Sequence, residues 1–249
     1  FPYTTLFRSV ALLAGSGALR FDERYTALQK HRLAVVGEGW AGLVGRMAAA
    51  LDEVGVLIEP NCAVTSIEQG RVLLDDGRSF ESDTIILATG HSQAARLLSP
   101  SDNEALEGVK PLRATTLDVL LSSRPLGEKH GIIDTVEGAY VVDKANIQPR
   151  LKLEGALLSA VMVERPDESS EERQERFSVF LERAAKGWQH HVVHQRKQDA
   201  ITVQTSGNKP AYDRYKTHGV LLAGEWVESE HELADAAAAT GRLCGQNIP

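Results

Sequence analysis

A glycine-rich hexapeptide is the segment of this sequence best suited to contact a charged ligand. Gly37–Gly42 has the sequence Gly-Glu-Gly-Trp-Ala-Gly, which matches the GxGxxG pattern of dinucleotide-binding turns. Glycine lets the backbone approach a pyrophosphate closely, and the start of a following helix favours its negative charge. Glu59 follows near the spacing expected of the acid that binds a ribose hydroxyl. By itself this pattern predicts a nucleotide site.

The side chains and the context of the hexapeptide weaken that prediction. Trp40 is bulky, and Glu38 has the same sign of charge as a phosphate. After Glu59 the sequence continues almost at once into further β-prone segments, whereas a first βαβ unit would continue with helix and strand. A GxGxxG pattern without such context is weak evidence. We therefore favour an internal turn of the fold, and a dinucleotide turn built from Gly37–Gly42 and Glu59 stays open as the alternative.

Hydrophobic periodicity places the hexapeptide in an α/β layer. Leu33–Val36 is β-prone, and apolar residues at helical spacing follow the turn as far as Gly55. Thr84–Ala88 is a continuous apolar run, typical of a strand covered on both faces. Gly219–Gly224 repeats this character, and an Ala-rich helix is predicted over about Leu233–Gly245. Further strands are predicted at Val56–Glu59, at Val64–Ile67 and in a hairpin of Arg71–Leu74 with Ser79–Glu81.

Between residues 105 and 215 the pattern changes to longer β-rich segments and one charged helix, from about Glu168 to Lys186. No crossover helices separate these segments, which favours an antiparallel sheet. They are Ala114–Ser122, Ala139–Asp143, Ala156–Glu164 and Val192–Thr205. The predicted fold class is α/β, with residues 10–104 and 216–249 in one layer and residues 105–215 as an inserted antiparallel β + α domain.

Two motifs and the order of the elements resemble phytoene desaturases and flavin amine oxidases. Residues 219–227 (GVLLAGEWV), followed by residues 233–237 (LADAA), are similar to the closing motif of that superfamily. Residues 64–90 are similar to the strand, hairpin and strand that precede its substrate domain. In this resemblance Gly37–Gly42 is the Gly-Gly-Trp turn beside the substrate domain. The fold implied is an FAD-binding Rossmann-like layer with an inserted substrate domain.

The resemblance implies FAD as the cofactor and assigns contacts at the end of the chain. Gly224 and Glu225 would meet the ribityl and pyrophosphate region, with Glu225 in place of the Asp that is usual in the desaturase-like members. The helix that begins at Leu233 and Ala234 would face the pyrimidine edge of the flavin. The free N–H groups of a helix start stabilise the negative charge that a reduced flavin develops there.

The same resemblance assigns contacts near the middle of the chain. Val64 falls where the family's backbone contacts the adenine, and Ala88, Thr89 and Gly90 fall where the chain passes the cofactor after a strand. No counterpart of the family's first strand-turn-helix unit is recognised before residue 33. The expectation is therefore a C-terminal fragment without its N-terminal βαβ unit, either a truncated reading frame or one half of a split protein.

The predicted function is an FAD-dependent oxidoreductase that oxidises a small hydrophobic or amine substrate by hydride transfer to the flavin. No side chain is identified as catalytic, and the fragment alone is expected to be inactive and to retain no FAD. The alternatives are an NAD-binding dehydrogenase domain that uses Gly37–Gly42, and a noncatalytic remnant of the fold. Flavin absorbance and NADH fluorescence distinguish these possibilities.

Composition and charge argue against other classes of protein. The formal net charge of −7 and the scattered basic residues disfavour nucleic acid as a partner. Two cysteines are too few for a disulfide framework, which fits a cytoplasmic protein, and no apolar run is long enough to cross a membrane. His190, His191 and His194 lack the spacing of a metal site, so no metal is expected.

Overall fold

The computed structural model describes residues 39–68, 70–98, 104–148 and 151–248. These residues divide into two compact units. We call residues 112–203 the continuous unit, and residues 40–111 with 204–248 the split unit. Both boundaries fall inside long strands. The predicted strand Leu33–Val36 and the first two residues of the hexapeptide lie outside the described residues.

The helices and strands follow in this order along the chain. They are α1 (Gly39–Glu53), β1 (Val64–Glu68), β2 (Arg71–Leu74), β3 (Ser79–Glu81), β4 (Ile85–Leu87), α2 (His91–Leu97), α3 (Glu104–Glu107), β5 (Val109–Leu121), β6 (Gly131–Asp134), β7 (Ala139–Asp143), α4 (Lys144–Ile147), β8 (Ala156–Val163), α5 (Ser170–Ala184), β9 (Val192–Gly207), β10 (Val220–Leu222) and α6 (Leu233–Gln246).

Helix α1 ends where the sequence predicts, at a glycine. Gly55 has a φ of +80°, and the Val56 N–H donates to the Leu51 carbonyl at 2.9 Å. A left-handed glycine followed by such a bond terminates many helices, because it satisfies a carbonyl of the last turn. The strand predicted at Val56–Glu59 is wrong: this segment is exposed and belongs to no sheet of the described residues. β-Prone residues form a strand only where a partner strand is available.

The strands of the split unit form two sheets. β1, β2 and β3 form the predicted antiparallel hairpin sheet, with Ile67 and Val72 packed against the main core of the unit. β4 and β10 pair in parallel, although more than a hundred residues separate them in the sequence. β10 is buried on both faces. β4 is not, because Ile86 is 37% exposed while its neighbours Ile85 and Leu87 are buried, so the prediction of two covered faces is wrong for this strand.

The continuous unit is a sheet with a helix on one face. The sheet has the order β6-β7-β8-β5-β9, and the pairs β6-β7, β7-β8 and β8-β5 are antiparallel. Alternate residues of β5, β7 and β8 pack against Phe177, Phe180 and Leu181 of α5. Ser169 and Glu172 form a capping box, which explains why α5 begins at Ser170 rather than at Glu168.

Candidate cofactor-binding site

The parallel strands β4 and β10 of the split unit end at the same level, so their carboxyl ends form one edge of the sheet. Leu222 lies opposite Leu87, and the Ala223 N–H donates to the Leu87 carbonyl at 3.1 Å. The chain leaves this edge through residues 88–90 after β4 and through residues 224–225 after β10. In open α/β sheets ligands bind outside the carboxyl ends of the strands. The predicted contact residues of both segments therefore lie where that fold places a ligand.

Trp226 joins the two segments. Its indole N–H donates to the Thr89 carbonyl at 2.7 Å, and the side chain is 2% exposed. Gly224 lies directly against the ring: a Cβ at this position would be 2.6 Å from Nε1 and 2.8 Å from Cδ1 of Trp226. Glycine is required at Gly224 by this close approach, whether or not a ligand is bound. The sequence analysis predicted a role for Gly224 but not the contact with Trp226 that requires a glycine there.

Helix α6 runs antiparallel to β10. Thr240 Oγ1 accepts from the Gly224 N–H at 3.0 Å, and one turn later Cys244 Sγ donates to the Leu222 carbonyl at 3.2 Å. The start of the helix lies seven residues before Thr240, which at 1.5 Å per residue places it about 10 Å beyond Gly224 along the axis. The N-terminus of α6 is therefore on the same side as the carboxyl edge of the strands.

The first residue of α6 has an unusual backbone. Leu233 is buried and has a φ of +56°, the left-handed region that side chains other than those of Asn and Asp rarely adopt. The preceding residue, Glu232, makes no side-chain capping bond to the helix. The N–H groups of the first turn are thus not capped by the residue that most often does so. Strained residues of this kind cluster at ligand-binding sites.

The carboxylate of Glu225 is held by neighbouring residues. Its Oε2 accepts from the Thr205 N–H at 3.0 Å and from Thr205 Oγ1 at 2.8 Å. Lys209 Nζ donates to the Glu225 backbone carbonyl at 2.7 Å and lies 3.9 Å from Oε2. Among the described residues none donates to the other carboxylate oxygen, Oε1. Neither Thr205 nor Lys209 belongs to a sequence motif by which its contact with Glu225 could have been predicted.

Of the remaining residues predicted to contact the cofactor, four lie at this edge and Val64 lies elsewhere. Ala88, Thr89 and Gly90 are exposed at the edge, and Ala234 is half-buried in the first turn of α6. Val64 is 38% exposed in β1, opposite Leu74. It thus lies on the hairpin sheet and not in the segments that leave β4 and β10.

The alternative dinucleotide turn lacks its ribose-binding acid. Helix α1 begins at Gly39, as that interpretation requires. However, Glu59 does not end a strand: its Oε2 lies 3.5 Å from Arg78 Nη1 and 3.8 Å from Cys62 Sγ, on an exposed surface. A dinucleotide-binding acid lies at the end of the second strand of its βαβ unit. The absence of a strand at Val56–Glu59 removes that arrangement.

Within the described ranges there is no group of three histidine, cysteine or acidic side chains placed to hold a metal ion. In the same part of the chain, no helix has both the length and the apolar character needed to cross a bilayer.

Comparison with solved structures shows the same fold. An oxidoreductase from Methanosarcina mazei superposes with a TM-score of 0.64 over 85% of this chain and 55% of its own, at 16% identity. A protein from Exiguobacterium sp. 255-15, assigned as a protoporphyrinogen oxidase, superposes with a TM-score of 0.65 over 96% of this chain and 57% of its own, at 17% identity. A cyclohexylamine oxidase from Brevibacterium oxydans gives a TM-score of 0.52 over 83% and 53%, at 16% identity. This chain therefore spans little more than half the length of these proteins.

The sequence comparisons add the family. No curated protein matches the chain. The sequence profile of the flavin-containing amine oxidoreductases matches residues 5–248, which is nearly the whole chain. The resemblance inferred from the closing motif is confirmed: this chain belongs to the flavin-containing amine oxidoreductase family.

Proposed function

We propose that the carboxyl edge of β4 and β10 binds the flavin and ribityl parts of FAD, and that the protein oxidises a small hydrophobic or amine substrate by hydride transfer to the flavin. The observation that carries this proposal is the convergence of three segments on one edge: residues 88–90, the Gly224-Glu225 turn and the start of α6. Membership of a flavin-containing family supports FAD as the ligand of that edge. The cyclohexylamine named for one related structure supports the amine class of substrate.

The chemistry of the edge fits such a ligand. An added Cβ at Gly90 would meet no heavy atom within 4 Å, so the backbone there is open. Glu225 offers a carboxylate oxygen to which no described residue donates, and Gln204 Oε1 is buried without a donor. These acceptors suit the hydroxyl groups of a polyol chain. The N-terminus of α6 supplies the opposite character, N–H groups suited to a carbonyl oxygen.

The mechanism follows from these positions. A flavin bound at this edge would supply the chemistry of hydride acceptance. Glu225 accepts a hydroxyl hydrogen bond and so fixes the position of the cofactor along the edge. The N–H groups at the start of α6 would stabilise negative charge on a flavin held at this edge. No described side chain is required as a general base.

We further propose the functional division of the chain. Residues 10–104 and 216–249 would form the FAD-binding part, and residues 105–215 would bind the substrate. The diphosphate would be held by a Rossmann-type strand-turn-helix unit outside the described residues. The exposed apolar side chains of α1, Val44, Met47 and Leu51, support a further packing partner for the split unit.

Substitutions at Gly90 test the proposed site. Gly90 is the N-cap of α2 with a φ of −64°, so Asp and Asn fit its backbone and favour the helix start. We expect Gly90→Asp to raise the Kd for FAD at least tenfold, because the side chain enters the open space of the edge. Gly90→Asn tests the contribution of charge at equal volume. Gly45→Asp, at an exposed glycine of α1 with equal room, is the matched control.

Flavin fluorescence quenching measures these affinities. Anaerobic loss of the flavin absorbance at about 450 nm on addition of small primary amines tests the reaction. Equal FAD affinity in all three variants would show that the edge of β4 and β10 is not the site.

A further inference from the structure

The last residues of β9 and the loop that follows contact the predicted cofactor residues. Thr205 is 2% exposed, and the side chain of Lys209 is 15% exposed. Both lie in the split unit with Glu225 and Glu232. The family resemblance assigned no role to residues 204–209. The side chains of Gln204, Thr205 and Lys209 contact the turn after β10 or the N-cap residue of α6.

Lys209 links the turn after β10 to Glu232, the N-cap residue of α6. Its Nζ donates to the Glu225 carbonyl at 2.7 Å and lies 3.9 Å from Oε2 of both Glu225 and Glu232. A buried ammonium group is stable only with such partners. Since Lys209 is shared by both carboxylates, a shift of the turn relative to the helix start would break at least one of these interactions. Lys209 therefore fixes the spacing of two of the three proposed cofactor segments.

Thr205 fixes the orientation of the Glu225 carboxylate. Its N–H and its hydroxyl both donate to Oε2, at 3.0 and 2.8 Å, which leaves Oε1 as the oxygen available to a ligand. Gln204 adds a second available acceptor: its Nε2 donates to Glu232 Oε2 at 3.1 Å, while its Oε1 is buried without a donor. Acceptors without donors complement a ligand that carries O–H groups, and they repel phosphate oxygens.

We propose that Thr205 and Lys209 are positioning residues that hold Glu225 so that its Oε1 accepts a hydrogen bond from a hydroxyl of the ribityl chain, with Gln204 as a second acceptor. This inference rests on the proposed function, since it assumes that the edge binds a flavin. It predicts that these residues recognise the polyol chain of the cofactor rather than its ring or its diphosphate.

Two flavins that differ in the polyol test the inference on the full chain. Riboflavin carries the ribityl hydroxyls, and lumiflavin has a methyl group in their place. We expect Thr205→Val and Lys209→Met to weaken riboflavin binding about tenfold, as for loss of a hydrogen bond to a charged group, and to leave lumiflavin binding unchanged. Thr205→Ser keeps the hydroxyl and should restore riboflavin binding. Lys197→Met, at an exposed position of the same strand, is the control.

A double substitution distinguishes positioning from general loss of structure. Because Thr205 acts through Glu225, Thr205→Val should add nothing to the effect of Glu225→Gln on riboflavin binding. Additive effects would overturn the inference, and so would equal weakening of riboflavin and lumiflavin. Unchanged riboflavin affinity in the variants would overturn the inference alone, whereas a wild-type chain that binds neither flavin would refute the proposed function as well.

Discussion

Trp226 is the residue on which the geometry of the proposed site most depends. Its indole hydrogen bond joins the loops that follow β4 and β10. Its ring also leaves no room for a side chain at position 224, so only glycine fits there. A Gly224→Asp substitution would therefore disturb the turn through the indole ring, and its effect on a ligand could not be separated from that disturbance. Gly90, which faces open space, is the cleaner position at which to test binding.

Trp226→Phe tests this structural role. The substitution removes the N–H that donates to the Thr89 carbonyl at 2.7 Å and leaves a cavity at a site that is 2% exposed. We expect a loss of about 2 kcal/mol in the free energy of unfolding, from the lost hydrogen bond and the unfilled volume together. Urea denaturation measures the change. A loss below about 0.5 kcal/mol, the size of an ordinary surface substitution, would show that the two loops do not depend on the indole.

At the scale of the elements, α5 is stabilised by buried ion pairs as well as by apolar contacts. Arg176 donates to Glu168 through Nε at 2.6 Å and through Nη2 at 2.8 Å, and Nη2 also donates to the Val163 carbonyl at 2.8 Å. Arg173 pairs with Glu164 and Asp199. Such paired charges hold a helix in one position on its sheet, because removal of one partner leaves the other buried and unpaired.

The Glu168–Arg176 pair predicts a pH dependence of stability. Hydrogen bonds from Arg176 lower the pKa of Glu168 below its ordinary value of 4.5, although burial opposes the shift. A carboxyl with a lowered folded pKa stabilises the fold above its unfolded pKa, and the contribution is lost as the pH falls through the folded pKa. We expect Glu168→Gln to cost about 2 kcal/mol at pH 7, where Arg176 loses its charged partner.

The cost of Glu168→Gln should shrink as the pH falls from the unfolded pKa of Glu168 through its lowered folded pKa, because protonation of the carboxyl then removes the charge that pairs with Arg176. Glu171→Gln, at an exposed acid of the same helix, should change the stability little at any pH. Urea denaturation across the pH range gives both curves. A cost that is constant from pH 7 to pH 3 would contradict the assignment of the pair.

How far the sequence predicts this architecture depends on the kind of element. Segments with a strong period were predicted within a few residues of their bounds, such as Ala139–Asp143 and the helix from Leu233. The sequence failed where tertiary contacts decide. Val56–Glu59 is β-prone but has no partner strand among the described residues, and the short helix His91–Leu97 has no distinctive pattern. The contacts of Thr205 and Lys209 with Glu225 depend on how distant segments meet, which no local pattern encodes.

At the scale of the whole molecule, the parallel pairing of β4 with β10 links the two ends of the split unit. Residues 112–203, which lie between these strands in the sequence, form the continuous unit, so the chain leaves the split unit and returns to it. This path brings the closing motif beside residues that precede it by more than a hundred positions. The proposed site is therefore a property of the complete path, since neither half of the split unit contains all of its segments.

The charge of the edge leads to a prediction about which part of FAD the described residues recognise. Glu225 lies in the turn and Glu232 is the N-cap residue of α6, and Lys209 is the cation placed between these two acids. A net negative charge repels a diphosphate, so the adenosine diphosphate part of FAD should gain little from these residues. We expect the 249-residue chain to bind FAD no more than about threefold more tightly than riboflavin, and to lose FAD during gel filtration. Fluorescence titrations with both flavins at low and high salt measure this, and the affinity for FAD relative to riboflavin should rise slightly as salt is added, because salt screens the repulsion of the diphosphate. A preference for FAD of a hundredfold or more would show that residues of this chain hold the diphosphate, and would support a dinucleotide turn at Gly37–Gly42.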